Sequence, residues 1–517
     1  MDAFKGWRYA PTMALYQGRQ SLSNTEAREI LAPLGPGQWA SERIQSFREK
    51  VLNAEKVNIS EDRAAGHWAL RAAALPESPN AAINSFAPQG KDLMPRMREV
   101  HEATREIANQ VRDARLKSQS GKPFSAVLHL GIGGSDIGPR LLIQALGGAT
   151  QPGKVSAEFL SNLDYHAAQH ALCRLDPHET LVVIASKSFT TQETVMNAQH
   201  VLHWMRNAGV EKPEHNCIAV TERTDRAVQW GVPAKQTLWF DESIGGRFSV
   251  WGPVALTARI VLGNAAVDAF IQGGALLDSH FLSEAPQNNL PAVLAVTDFY
   301  NLRQRKLPTL MVSAYDSRLA LLVPYLKQLW MESLGKHVDA WGKPIEGLAC
   351  PILWGDVGTN AQHAFFQLLH QGAQGVAIEL LGVVEPAHES HESHRALLAN
   401  LVAQAQALST GREDPDPNKS CWGGHPLNVL MLDRCDAKAL GALIALWEHR
   451  VECMAALTGI NPFDQWGVEL GKVLASSASQ ALTNGDNSAG HKTPETLDAQ
   501  SLELANWIRL RLAEQAS

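Results

Sequence analysis

The chain has 517 residues, of which 45% are hydrophobic and 19% are charged, and its formal net charge is −7. The length allows about two to four domains, and the composition is typical of a globular protein with large cores. The acidic balance argues against a general nucleic-acid or anionic-membrane surface, so an anionic ligand needs a locally basic pocket.

The cysteines and the hydrophobic runs predict a cytoplasmic protein. The six cysteines contain no CxxC pair and are expected to be reduced thiols. The N-terminal sequence MDAFKGWRYAPTMALYQGR lacks the apolar core of a signal peptide, and no run approaches the ~20 apolar residues of a membrane span. The cysteines are Cys173, Cys217, Cys350, Cys421, Cys435 and Cys453.

Residues 1–120 show apolar residues at helical spacing, as in 39–51 and 94–111. No strand-turn-helix pattern is recognised there. This region is predicted to be an N-terminal helical segment that packs on the second of two later domains.

Residues 121–275 repeat a strand-turn-helix pattern, which predicts a doubly wound parallel sheet. SAVLHLGIGGSDIGPRLLIQAL and LVVIASKSFTTQETVMNAQHVLHWM each contain one unit, and HNCIAVTER begins another strand. Ligands of such sheets lie beyond the carboxyl ends of the strands. The turns at 131–138 and 186–191 are therefore expected to line one crevice.

Residues 276–475 predict a second α/β domain, and residues 476–517 a helical tail that contains a helix at 494–513. LPTLMVSAY, GAQGVAIELL and NVLMLDR are predicted strands, whereas LPAVLAVTDFY, residues 320–334 and ALGALIALWEHRVECMAAL are predicted helices. The predicted fold class is α/β, with two doubly wound parallel-sheet domains and helical segments at both ends.

Two turns of the first domain are candidates for binding phosphate. SKSFTTQET offers hydroxyls, backbone N–H groups, a helix N-terminus and Lys187 as a mobile cation. A strand followed by an ordinary Ser/Thr-capped helix is the alternative. GIGGSDIG matches neither GxGxxG in register nor GxxxxGK[ST], but its glycines admit a close ligand to which Ser135 can donate. A plain tight turn is the alternative there.

Arg247 and Glu332 are candidates for chemistry at a carbonyl. Arg247 follows two glycines, and its guanidinium can stabilise an oxygen-centred negative charge. The alternative is a structural pair with Asp241 or Glu242. Glu332 lies near the end of the predicted helix 320–334, where the helix dipole disfavours ionisation, as suits a general base. The alternative is a solvated glutamate beside Lys336.

Two further segments carry candidate proton donors. Asn360 is predicted to cap a helix, which places His363 in its first turn, where a neutral imidazole is favoured. Gln465 and Lys472 share one helix face if that helix begins by Gln465, and a partly buried Lys472 could transfer protons or hold an anion. Local packing of the histidine and a simple surface helix are the alternatives.

The sequence HESHESH places His388, His391 and His394 at near-helical spacing. It has no Cys or HExxH companion, so it does not favour a metal site.

Together, the motifs resemble the glucose-6-phosphate isomerase (phosphoglucose isomerase) family. GIGGSDIGP, SKSFTTQET, DESIGGRFSVWG, MESLGK, GTNAQHAFFQLLHQG and FDQWGVELGK match in the order of that family, between about residue 121 and residue 472. The resemblance implies two sugar-isomerase-type (SIS-like) domains in a homodimer. It also implies interconversion of D-glucose 6-phosphate and D-fructose 6-phosphate, in glycolysis and gluconeogenesis, with no metal or nucleotide.

The resemblance also implies roles for individual residues. Glu332 is the implied base that moves a proton between C2 and C1 through a cis-enediol(ate), which Arg247 stabilises. His363, donated by the other subunit, and Lys472 are implied in ring opening and closing. The implied substrate-binding residues are Gly134, Ser135, Ser186, Lys187, Ser188, Thr190, Thr191, Gln328 and Gln465.

The chain departs from the family pattern at a few positions, and none of these differences removes a proton-transfer group. Ser188 stands where Thr is frequent, Leu334 replaces a commonly polar neighbour, and WGDVGTNAQ differs slightly before His363. Three alternatives stay open at this point: a sugar-phosphate-binding regulator without catalysis, an enzyme that also acts on another hexose phosphate such as mannose 6-phosphate, and a metal-dependent isomerase, for which no ligand set is found.

Overall fold

The structure is a computed structural model that describes residues 7–9, 12–20, 24–76, 83–147, 155–484 and 497–516. The chain forms two compact units, Met1–Phe463 and Asp464–Ser517. The domain boundaries predicted at 120/121, 275/276 and 475/476 stay predictions.

A five-stranded parallel sheet forms within residues 121–275, as predicted. Its strand order is β4-β3-β5-β6-β7. β3 and β5 are buried along their whole length, because helices cover both faces of a doubly wound sheet. The strands are β3 (Ala126–Leu130), β4 (Ser156–Leu160), β5 (Thr180–Ala185), β6 (Cys217–Thr221) and β7 (Thr237–Trp239).

A second sheet of six strands has the order β1-β2-β11-β10-β8-β9. β11, β10, β8 and β9 run parallel, as predicted. β2 pairs antiparallel with β11, and β1 pairs antiparallel with β2. The strands are β1 (Trp7–Tyr9), β2 (Met13–Arg19), β8 (Thr309–Tyr315), β9 (Ile352–Val357), β10 (Ala377–Glu385) and β11 (Leu427–Arg434).

The prediction that residues 1–120 are wholly helical, and that the second sheet is wholly parallel, is therefore wrong at β1 and β2. Met13, Leu15 and Gln17 are buried while Tyr16 is exposed, which is the two-residue period of a strand. This short alternation precedes a long stretch with helical spacing, and nothing local to it reveals that β11, over four hundred residues later, is its partner.

The predicted helices at 39–51 and 94–111 are confirmed as α2 and α4. The helices of the first unit are α1 (Asn24–Leu31), α2 (Trp39–Leu52), α3 (His67–Ala73), α4 (Met94–Arg112), α5 (Gly134–Leu146), α6 (Tyr165–Leu172), α7 (Gln192–Asn207), α8 (Thr224–Gln229), α9 (Leu256–Leu262), α10 (Asn264–Ser283), α11 (Leu290–Arg303), α12 (Leu322–Lys327), α13 (Gly358–Gln362), α14 (Phe366–Gln371), α15 (His391–Thr410) and α16 (Ala437–Thr458).

Helix α16 lies at the centre of the first unit, where it packs against α10, α11 and α2. Its residues are buried almost without interruption, so it has no solvent face. Its four buried charged or polar residues, Glu448, His449, Arg450 and Glu452, form hydrogen bonds inside the core.

The second unit contains α17 (Glu469–Asn484) and α18 (Ala499–Ala516). The helix predicted at 494–513 corresponds to α18, although its predicted start at Pro494 lies outside the described residues. In the described part of the chain, no helix combines the length and the apolar character needed to cross a membrane.

Candidate active site

The Ser186–Thr191 turn connects β5 to α7, as predicted, and is held by a buried aromatic side chain. Phe189 adopts a left-handed backbone conformation (φ 53°) and packs its ring against Trp230, with 6.0 Å between ring centroids. A non-glycine residue keeps such a φ only where its surroundings enforce it. Burial of Phe189 therefore leaves the neighbouring Ser188 and Thr190 on the exposed side of the turn.

The hydroxyls of this turn do not serve as an ordinary helix cap. Thr191 is the N-cap of α7, yet its side chain makes no capping hydrogen bond. The Ser186 hydroxyl donates to Thr191 Oγ1 at 3.3 Å, and Thr190 Oγ1 donates to Ser188 Oγ at 2.8 Å. Four hydroxyls thus gather at the N-terminus of a long helix, an arrangement suited to an anion.

The prediction that Lys187 is a mobile cation is wrong. Its Nζ donates to the carbonyls of Glu242 and Ile244, at 2.7 and 3.1 Å. Burial lowers the pKa of Lys187, and the nearby Arg63 guanidinium lowers it further. The Lys187 ammonium instead links the Ser186–Thr191 turn to the segment that precedes Arg247.

The glycine turn at 131–138 lies against two other candidate segments. An added Cβ at Gly133 would sit 2.7 Å from Gln328 Nε2, and one at Gly134 would overlap the carbonyl of Gly246. Only glycine allows approaches this close, so the 131–138 turn packs against other candidate segments and is not a plain tight turn. Ser135 lies in the first turn of α5, and its carbonyl accepts a hydrogen bond from His129 Nε2 at 2.7 Å.

Arg247 and Glu332 form an ion pair at the centre of these segments. Arg247 lies in a 3₁₀ turn, Gly246–Trp251, and its side chain is about 1% exposed. Its Nη1 is 3.3 Å from Glu332 Oε1, its Nε donates to Ser333 Oγ at 2.6 Å, and its Nη2 donates to the Pro462 carbonyl at 2.5 Å. The alternative pairing of Arg247 with Asp241 or Glu242 is therefore wrong.

Glu332 ends a π-helical turn, Gln328–Glu332, that continues α12. The helix then ends before Gly335, as predicted. Residues four apart share a face of the helix, and π turns are frequent at functional sites. Gln328 consequently reaches Gly133 while Glu332 reaches Arg247. The Glu332 side chain is 23% exposed, and Lys336 Nζ donates to the main-chain carbonyl of Glu332 at 2.8 Å.

The helix position predicted for His363 is wrong. α13 begins at Gly358 after the N-cap Val357, so Asn360 lies inside it and His363 is its C-cap. Strand β9 ends at Val357, and α13 follows it directly. The helix is five residues long, and it starts before Asn360. The argument from a helix N-terminus does not apply. His363 is exposed on the single chain.

The shared helix face predicted for Gln465 and Lys472 is also wrong. Gln465 has a non-helical backbone (φ −150°, ψ 42°) before a short 3₁₀ turn, and α17 begins only at Glu469. Lys472 lies in α17 with its side chain 63% exposed, and its Nζ is 2.7 Å from Glu469 Oε1. Both residues belong to the second unit.

The histidines of HESHESH make separate local bonds. His394 Nε2 lies 2.9 Å from the Val384 carbonyl, and His388 Nδ1 accepts from the Ser390 N–H at 3.2 Å. Among the described residues, no three His, Cys, Asp or Glu side chains form a group that could hold a metal ion.

The sequence reasoning missed two groups that hold Arg247. Ser333 is fully buried next to Glu332, and the Pro462 carbonyl reaches the same guanidinium. Ser333 lies inside the motif MESLGK, so its position beside the candidate base was a usable signal. The Pro462 carbonyl belongs to the main chain, so no residue type in the sequence indicates its contact with Arg247.

Comparison with known proteins gives consistent similarities. The Phosphoglucose isomerase family matches residues 27–497. A glucose-6-phosphate isomerase of Rhizorhabdus wittichii is 42% identical over 438 residues, which cover 84% of this chain and 83% of that protein. One of Zymomonas mobilis is 39% identical over 445 residues, which cover 85% of this chain and 82% of that protein.

The solved structures agree with the sheets described above. A crystal structure of a glucose-6-phosphate isomerase from Chlamydia trachomatis superposes with a TM-score of 0.80 at 29% identity, over 98% of this chain and 92% of that one. Motif order, the two sheets and sequence identity over most of the chain lead to one conclusion. The chain belongs to the phosphoglucose isomerase family.

Proposed function

We propose that this chain interconverts D-glucose 6-phosphate and D-fructose 6-phosphate, with Glu332 as the base and Arg247 as the group that stabilises the intermediate. The isomerase activity follows from family membership and from relatives named glucose-6-phosphate isomerase at 42% and 39% identity. The assignment of residues rests on geometry and chemistry.

The observation that carries the assignment is the contact between Arg247 and Glu332, 3.3 Å apart at the tips of their side chains. An aldose–ketose interconversion removes the proton at C2 of the open-chain aldose and returns a proton to C1. The electron pair released at C2 forms the C1=C2 double bond and places negative charge on O1. A base beside a buried cation meets both demands, since the charge develops on O1, two bonds away from the C2 carbon that loses its proton.

The substrate phosphate is assigned to the Ser186–Thr191 turn. The hydroxyls of Ser188 and Thr190 are exposed there, and α7 directs its N-terminal N–H groups to the same place. The other residues proposed to form the substrate site within the first unit are Ser186, Lys187, Thr191, Gly134, Ser135 and Gln328. Lys187 contributes by holding the turn, because its ammonium is bonded to two carbonyls.

The next assignments are based on the motifs that the chain shares with the family. His363 and Lys472 are assigned to ring opening and closing, and Gln465 is assigned to substrate contact. The exposed side chain of His363 supports its donation to the active site of a second subunit. The protein is accordingly proposed to act as a cytoplasmic homodimer.

A coupled assay on both sugar phosphates, run with a chelator, tests the proposal on the wild type and on Glu332→Gln. We expect full wild-type activity with the chelator and a loss of kcat of at least about 10³-fold in Glu332→Gln, because the amide cannot accept the proton. Glu346→Gln serves as the control, since Glu346 lies on a different surface groove. An active Glu332→Gln enzyme would overturn the base assignment, and sensitivity to the chelator would overturn the metal-free mechanism.

A further inference from the structure

Six buried polar side chains lie behind the 3₁₀ turn that carries Arg247. They come from α3, α10 and α16, and every side chain among them is at most 2% exposed. We call them the α16 network. Its members are His67, Arg71, Asp278, Glu448, His449 and Glu452. The proposed reaction assigns none of them a part.

The first half of the network is built around Arg71. Its Nε and Nη2 donate to the two oxygens of Asp278, at 2.7 and 2.6 Å, and its Nη1 pairs with Glu448. A bidentate pair fixes the plane of a guanidinium. The same guanidinium lies 4.6 Å from the centre of the Trp251 ring.

The second half is built around His449. Its Nε2 is 2.7 Å from Asp278 Oδ1 and its Nδ1 is 2.9 Å from Glu452 Oε2. Both ring nitrogens face carboxylates, which only accept hydrogen bonds, so the ring is a protonated imidazolium. Glu452 Oε1 accepts from Trp68 Nε1 and lies 3.0 Å from His67 Nε2.

The network contacts the Gly246–Trp251 turn at two residues that follow Arg247, Phe248 and Trp251. Trp251 Nε1 donates to Glu448 Oε1 at 2.8 Å. The ring of Phe248 packs on the ring of His67, with 4.7 Å between centroids. Phe463, which follows the Pro462 whose carbonyl accepts from Arg247, packs on Phe248 as well.

Burying this many charges is poorly explained by stability alone, because the desolvation of each charge opposes its Coulombic gain. Paired charges do, however, impose one geometry on the elements they join. We propose that the α16 network is a positioning device that sets the Arg247 guanidinium against Glu332. Its members are positioning residues, and this inference rests on the proposed role of Arg247.

Trp251→Phe tests the proposal, since it removes the indole N–H that Glu448 accepts together with part of a fully buried ring. We expect kcat to fall about tenfold while KM stays within about twofold, because a small displacement of a catalytic group costs rate more than binding. Asp278→Asn, which weakens both halves of the network, should lower kcat further.

Asp268→Asn is the matched control. Asp268 lies on α10, as Asp278 does, but its carboxylate pairs with Arg259 and Arg105. We expect Asp268→Asn to lower the thermal midpoint and leave kcat unchanged. If Asp278→Asn does not fold, Trp251→Phe alone decides.

A double-mutant cycle separates positioning from general stability. With Arg247→Lys as the background, Trp251→Phe should have almost no further effect on kcat, because the group that it displaces is already gone. A folded Trp251→Phe enzyme with wild-type kcat, or losses that multiply in the double variant, would overturn the positioning role. If Arg247→Lys itself keeps the wild-type kcat, the proposed function of Arg247 fails instead.

Discussion

The planar side chain of Arg247 contacts Glu332, Ser333 and Pro462, and each contact limits where the guanidinium can lie. Glu332 is the reacting partner in our proposal, whereas the Ser333 hydroxyl and the Pro462 carbonyl hold the guanidinium from other sides. Lysine offers a point charge and no such fork, so it cannot make the same set of contacts. Precision at this residue therefore depends on neighbours that never meet the substrate.

Ser333→Ala should expose this dependence. The change removes the acceptor of the Arg247 Nε–H, 2.6 Å away in a fully buried place. We expect kcat to fall about tenfold, equivalent to ~1.4 kcal/mol of activation free energy, with little change in KM. Steady-state kinetics measure both constants.

Ser249→Ala is the control for this prediction. Ser249 is equally buried in the Arg247 turn, but its hydroxyl has no hydrogen-bond partner among the residues that the structure describes. We expect its kcat to match the wild type. Equal losses in the two variants would show that the rate responds to packing and not to the bond with Arg247.

Glu452 makes the stability of the protein depend on pH at the acid end. Burial opposes its ionisation, but hydrogen bonds from His449 and His67 outweigh burial and lower its pKa to about 2. A carboxyl whose folded pKa is depressed stabilises the protein above its unfolded pKa of 4.5 and loses that contribution as pH falls toward about 2.

Glu452→Gln should therefore flatten the acid limb of the stability curve. At pH 7 we expect it to lower the free energy of unfolding by on the order of 3 kcal/mol, and below about pH 2 the difference from the wild type should shrink. Chemical denaturation at several pH values measures this. A difference that does not vary with pH would contradict the assigned cause.

At the scale of elements, strand β2 is a small segment with a large structural role. It covers the edge of β11, which would otherwise present unpaired N–H and C=O groups. Leu15 points into the core and is fully buried, whereas its neighbour Tyr16 is 51% exposed. Residues 7–9 and 13–19 are thus part of the second sheet.

Leu15→Ala and Tyr16→Ala test this role on adjacent positions of one strand. We expect Leu15→Ala to cost about 2–5 kcal/mol of unfolding free energy through the cavity that it leaves. Tyr16→Ala should stay within about 0.5 kcal/mol of the wild type. Thermal or denaturant unfolding measures both, and equal effects would contradict the register of β2 on β11.

The π turn Gln328–Glu332 is the second element whose local geometry matters. From this one turn, Gln328 approaches the glycine turn and Glu332 pairs with Arg247. The turn thus brings two candidate residues to the site from one continuous helix, and π turns are frequent at functional sites.

At the scale of the whole molecule, the proposed homodimer predicts complementation between inactive subunits. Mixing His363→Ala and Glu332→Gln chains at random makes half of the dimers hybrid. If His363 acts in the partner's active site, each hybrid has one site with both residues intact, and about a quarter of the wild-type activity returns. If each chain uses its own His363, no hybrid site is intact and no activity returns.

The amino-acid sequence by itself determined the α/β class, most of the long helices and six of the parallel strands, whereas β4, β7 and β9 were not predicted. Hydrophobic periodicity is a pattern among residues close together in the chain, so it predicts such elements wherever they are long and regular. The order of the motifs also indicated the family and, through it, the candidate residues Glu332 and Arg247. The sequence correctly placed the Ser186–Thr191 turn between a strand and a helix.

Only the tertiary structure decided which distant groups meet. β2 pairs with β11, Lys187 turns to the carbonyls of Glu242 and Ile244, and Ser333 with Pro462 holds Arg247. The helix starts near His363 and Gln465 also differ from the prediction, since α13 begins at Gly358 directly after strand β9 and α17 begins only at Glu469 after a 3₁₀ turn. These contacts join residues far apart in the chain, and long-range packing leaves no local pattern from which they could be read.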